Sequence, residues 1–174
     1  MIKSHDVVNS LGQLIQISAI SEACYRRAIA SMRTESEMAL FIYFWQEHGR
    51  IVCELQEKVR QFGGILQEDA RQAAQEPLCF RKNNSQEEIE AALSDCVRAD
   101  AELLHSYEYV VKVSLPFDVL SLLRLHVMKV KGIHARARYM LERVHHSSMP
   151  SWRLSQGPAY SLAHSLEPAA HTRS

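Results

Sequence analysis

Five ionisable side chains, Glu22, Glu47, Asp100, Lys131 and His134, fall at or beside positions where helical spacing calls for apolar residues. Alternating steps of three and four give four stripes. The first reads Leu11, Ile15, Ser18, Glu22, Tyr25, Ile29, and the second Leu40, Phe44, Glu47, Ile51, Glu54. The third reads Ile89, Leu93, Cys96, Asp100, Leu103, Tyr107, and the fourth Leu120, Leu123, Val127, Val130, His134, Ala137, Leu141. Each is interrupted near its middle by an acid or a histidine. Charges are costly to bury unless they are paired or bind a metal. Two chemistries therefore fit: a buried ion-pair network, or a carboxylate and imidazole metal centre.

The elements that must position these groups are drawn by the breakers. All five prolines fall outside four long stretches of helical periodicity, about 6–32, 35–62, 86–113 and 116–146. Thr34-Glu35-Ser36-Glu37 and Ser85-Gln86-Glu87-Glu88 are capping-box sequences that mark the second and third starts. Gly63-Gly64 supplies a left-handed residue at the end of the second helix, and Pro116 suits a first turn. Short joints around Arg33-Thr34 and Ser114-Leu115 imply two antiparallel hairpins. The crossover 63–85 is long enough to run the length of a bundle whose helices span about 40 Å. The expected fold is therefore all-α: a four-helix bundle over 1–146 followed by a flexible tail, 147–174. Counted from the turns, Glu22, Glu47, Asp100 and Lys131 agree in height to within about one helical turn, which predicts a polar layer at mid-bundle.

The order Glu22-x-x-Tyr25, Glu54-Leu55-Gln56-x-x-Val59 closing on Gly63-Gly64, Cys96-x-x-x-Asp100 with Tyr107, then Leu115-Pro116 and a late His134, resembles a bacterial family of uncharacterised ferritin-like four-helix-bundle proteins. The resemblance covers about residues 6–140 and leaves the tail out. Ferritin-like di-iron bundles take a Glu from each of two helices and Glu-x-x-His from the other two. The resemblance implies that Glu22, Glu47, Asp100 and His134 match the ligands of the four helices in turn, Asp100 being one methylene short. Arg50 and Lys131 stand where a histidine and a glutamate would be expected. Metals bind through anionic oxygen and neutral imidazole, whereas arginine offers donors alone. With two cations present, the expectation is a degenerate, metal-free layer in a non-catalytic binding or structural module. The alternative is one iron or manganese ion held by Glu22, Glu47, Asp100 and His134, with Arg50 and Lys131 turned outward, in a protein that handles metal or oxygen.

Composition narrows the classes. The chain has 174 residues, 47% of them hydrophobic, with 6 Gly and 5 Pro, too few turn-formers for a sandwich or barrel. Twenty basic and twenty acidic residues cancel, so no nucleic-acid footprint is present. No stretch reads as a membrane span or a signal peptide, which places the chain in the cytoplasm as an expectation. Cys24, Cys53, Cys79 and Cys96 are scattered, as packed thiols are. Glu102-x-x-His105 spells a ligand pair but points away from the core stripe. His48 and His126 border their stripes, where each is either a peripheral ligand or, more often for a lone histidine, a satisfied core residue, while Tyr25 and Tyr107 are placed to donate to the layer's carboxylates, to host a radical or, as buried tyrosines usually do, to pack. Residues 85–113 carry a net charge of minus five and residues 115–146 plus four. The aromatic run Phe41, Tyr43, Phe44, Trp45 spans more than one face, which suggests a homo-oligomer, and the surface or tail is free to meet a protein partner.

Overall fold

The computed structural model describes residues 4–65 and 84–148. Most of the crossover, Cys79 and the tail beyond Ser148 lie outside the described residues. Four helices are present and no strand occurs among the described residues: α1 (Ser4–Ile29), α2 (Glu35–Gln61), α3 (Gln86–Val110) and α4 (Phe117–Ser148).

The expected starts hold because their caps are built. Thr34 and Ser85 each accept the N–H of the residue three ahead, Glu37 and Glu88, whose carboxylates return to the cap N–H. α4 begins one residue after Pro116, whose carbonyl accepts the Leu120 N–H. The first and third helices stop three residues short of expectation. No glycine follows either, and each instead tightens into bonds three residues apart, Met32 to Ile29 and Val113 to Val110 among them. α2 ends as the sequence requires: Gly63 takes φ 75° and the Gly64 N–H returns to the Val59 carbonyl at 2.9 Å.

Gly64 also closes this end of α2 onto the start of α1. A Cβ there would stand 2.6 Å from Val59 Cγ1 and 2.8 Å from Val8 Cγ1. Both are branched side chains with little room to turn. Gly64→Ala is expected to cost about 1–3 kcal/mol, the usual range for overpacking, read as a lower midpoint in urea unfolding.

α1 packs on α2 and α3, and α4 packs on α3 and more sparsely on α2. The interior consists of two apolar clusters. One gathers Leu11, Leu14, Ile51, Leu55, Leu103, Tyr107 and Leu123 with their neighbours. The other gathers Tyr25, Ile29, Phe41, Phe44, Leu93, Cys96 and Ile133 with theirs. In α1 the first cluster stops at Ile15 and the second starts at Cys24; in α3 the division falls between Ala99 and Leu103. Ser18, Ser21, Glu47, His48, Asp100 and His126 are buried at this division. Each fully buried leucine contributes about 2 kcal/mol, so the two apolar blocks supply the drive to fold.

Candidate functional site

Asp100 is the most deeply set acid of the layer. Its side chain is wholly buried, and Tyr25 donates its hydroxyl to Oδ2 at 2.6 Å. His48, also wholly buried, brings Nε2 to 3.2 Å from Oδ1. That approach lies within ion-pair range, yet its angle is too poor for a hydrogen bond, so Oδ1 and both ring nitrogens of His48 have no hydrogen-bond partner. The Tyr25 ring stacks on the His48 ring at 4.9 Å, with 17° between planes, and Phe41 and Phe44 close the other sides. Burial first, and the Asp100 charge second, push the Tyr25 hydroxyl far above its ordinary pKa, so it remains a donor.

Glu47 is neutralised from two helices. Arg50 Nη1 lies 2.7 Å from its Oε1, and Lys129 Nζ of α4 lies 3.5 Å from its Oε2. Arg50 thus plays the expected part, reaching in from the surface with its head still half in water. Lys131 does not: it is exposed, and Lys129 stands in its place beside Glu47. Glu22 is half-buried, and its Oε1 would stand 3.1 Å from a Cβ at Gly49, so the missing side chain at Gly49 lets α2 approach this carboxylate.

A second set of three groups sits beside the first. His126 is wholly buried on α4, with Nε2 2.7 Å from Glu54 Oε2 and Nδ1 3.1 Å from the Tyr107 hydroxyl. Burial lowers the His126 pKa below its ordinary value, with the Glu54 charge opposing this less strongly. The neutral ring then donates Nε2–H to Glu54 and accepts the Tyr107 O–H at Nδ1. Tyr107 is likewise pushed up by burial.

The expected ligand set is only partly assembled. Its members lie on four helices, but α4 is rotated from the expected stripe. The buried positions run Val119, Leu123, His126, Val130, Ile133, Ala137, whereas the stripe read from sequence passed through Val127 and His134. The shift of one residue at alternate steps places His126 in the core and leaves His134 half-buried on the flank, its Nδ1 without a hydrogen-bond partner. Among the described residues, no three side chains of His, Cys, Asp and Glu are grouped to share one metal ion. The donor chemistry gives the reason: Glu47 is occupied by a guanidinium and an ammonium, and Asp100 by a phenol. In this arrangement the residues do not fit a pair of metal ions.

Cys24 and Cys96 are buried beside the layer, and burial raises both thiol pKa values, whereas Cys53 is exposed. Iodoacetamide on the native protein is expected to modify Cys53 and spare Cys24 and Cys96 until denaturant is added. Peptide mass mapping checks this, and rapid native labelling of Cys96 would contradict the packing. Glu102 and His105 are both exposed, as their position on α3 requires.

No family model matches the chain, and no curated protein matches it. Among solved structures it is similar to a hypothetical protein from Pyrococcus furiosus, with a TM-score of 0.63 and 12% sequence identity over 83% of this chain and 93% of that one. At this identity the likeness shows the fold alone. Among the described residues, no helix is long and apolar enough to cross a membrane.

Proposed function

We propose that this chain is a non-catalytic, ferritin-like module of the cytoplasm, built from two antiparallel hairpins and a long crossover. Its polar layer sets helix register, and its function is to bind a partner through its surface. The observation that carries the reading is the occupation of Glu47 by Arg50 and Lys129, which supplies from the protein the positive charge a metal would bring. A layer of this kind penalises any sliding of one helix against another, because each slipped register buries an unpaired charge. Lys58 with Asp118, and His145 with Glu90, pin the two ends of α4 in the same register.

The second reading, a protein that holds iron or manganese through Glu22, Glu47, Asp100 and His134, has one observation in its favour. His134 Nδ1, Asp100 Oδ1 and both His48 nitrogens are buried polar atoms without hydrogen-bond partners. It requires Glu47 to leave its two cations.

Thermal unfolding with chelator, with Fe(II) under anaerobic conditions and with Mn(II) separates the two. A metal present at 100 times its dissociation constant adds about 2.7 kcal/mol, worth about 5–10 °C in a domain of this size. The proposal expects the three melting temperatures to agree within about 1 °C. A rise of several degrees with either metal would favour the second reading.

A further inference from the structure

We infer that the outer face of α4 and the outer face of α3 together form a self-complementary surface for a second copy of this chain, with α4 of each copy lying on α3 of the other. On the side of α4 turned away from its buried stripe, Leu125, Met128, Gly132, Ala135 and Tyr139 follow one another in steps of three and four. This is the spacing of a helix-packing seam, on a face that no other helix among the described residues covers. Leu125 is 49% exposed, Met128 72% and Tyr139 60%, a line of large apolar groups on one side of the helix. Around Gly132 a Cβ would meet nothing within 4 Å, so the seam has open space for a neighbouring side chain.

Charge selects the occupant. Arg124, Lys131 and Arg136 flank the seam, and none has an acidic partner among the described residues. Two α4 helices laid together would therefore set like charges against each other. The exposed side of α3 is the complement: Glu87, Glu102 and Glu108 are without a basic partner among the described residues, and the small residues Ala91, Ser94 and Ala101 leave room between them. Residues 149–174 carry two arginines and one glutamate, so charge does not draw them to a basic seam.

The heights agree as well. Tyr107 meets His126, and Gln86 and Glu90 meet Val144 and His145. Counting along both helices from these contacts places Glu108 level with Arg124, and Glu102 level with Lys131. A two-fold axis parallel to the helices, running between α3 and α4, brings Arg124 opposite Glu108 and Lys131 opposite Glu102 of the other copy. An axis across the helices would bring α4 onto α4. Two helices of about 35 Å in contact cover about 700 Å² on each copy, close to the size of a stable interface. The inference rests on the packing of α3 and α4 and is independent of what occupies the polar layer.

Sedimentation velocity on the full chain tests it, with circular dichroism as the check on folding. The wild type is expected to sediment as a dimer at about 50 µM, and Met128→Asp as a folded monomer. Lys131→Glu and Glu102→Lys are each expected to weaken the dimer at least tenfold, and the two combined in one chain to restore most of that loss. Both charge positions are exposed, so these variants fold even where an aspartate at position 128 does not. A wild type that sediments as a monomer, as it would if residues 149–174 or an unrelated acidic protein covered the seam, overturns the inference. So does a dimer that neither charge reversal changes, since it would be formed by another face.

Discussion

Asp100→Ala is expected to destabilise the protein by about 3 kcal/mol, the largest loss from any single change in the polar layer. The substitution strips the acceptor from the Tyr25 hydroxyl, which burial and the aromatic ring contacts of Phe41, Phe44 and His48 hold in place. It also removes the carboxylate that His48 approaches and leaves a space that these rings cannot fill by simple collapse. Asp100→Asn keeps the volume and a carbonyl acceptor for Tyr25, so it is expected to cost about half as much. Tyr25→Phe deletes the donor and is expected to cost about 2 kcal/mol, because a hydrogen bond to a buried charge is stronger than a neutral one. The two losses describe one bond, so Tyr25→Phe combined with Asp100→Ala should cost clearly less than their sum. Urea unfolding of the four proteins checks the set. A cost below about 1 kcal/mol for Asp100→Ala would mean that this bond does not hold the layer together.

His126→Gln is expected to combine a large loss of stability with a change in its pH dependence. The ring is wholly buried and bonded on both sides, so the substitution leaves Tyr107 or Glu54 without its present partner, at about 2–3 kcal/mol. The sign of the pH effect follows from burial, which lowers the pKa of His126 in the folded state below the ordinary histidine value of 6.5. The unfolded chain then binds a proton that the folded chain refuses. Stability is complete above about pH 6.5, falls as the pH drops below that value, and levels off once the pH passes the folded pKa. One such proton gives at most about 1.4 kcal/mol per pH unit. Other histidines titrate in the same window, so the informative quantity is the difference between the wild-type and His126→Gln curves from pH 5 to 8. That difference is expected to widen as the pH rises. Parallel curves would show that His126 is not held neutral.

The helices were legible because their signals are local. Two capping boxes, one glycine pair and the positions of the prolines set most boundaries to within a few residues. The division of the core was also legible, because charge on an apolar stripe is visible in the sequence itself. The partners within the layer were less so. A stripe read in steps of three and four can drift by one residue, and on α4 that drift exchanged His126 for His134 and hid Lys129 behind Lys131. Nothing in the spacing of α4 alone fixes its rotation. Contacts from other helices do: Lys58 of α2 holds Asp118, Tyr107 of α3 holds His126, and Glu90 of α3 holds His145. His48 stands at the border of its stripe in sequence, and in the fold it is buried against Tyr25, a contact between residues on two different helices. Glu54 is one more position on the stripe of α2 in sequence, and its bond to His126 depends on the rotation of α4.

We propose that Glu47 is balanced by Arg50 and Lys129 in place of a metal ion. Mass-spectrometric metal analysis of the untagged protein tests it most directly, purified without chelator, loaded anaerobically with iron, and run beside Glu47→Ala. Neither protein is expected to carry stoichiometric iron or manganese. One or two ions per chain in the wild type, lost on Glu47→Ala, would contradict it and make Glu47 a ligand in spite of Arg50 and Lys129.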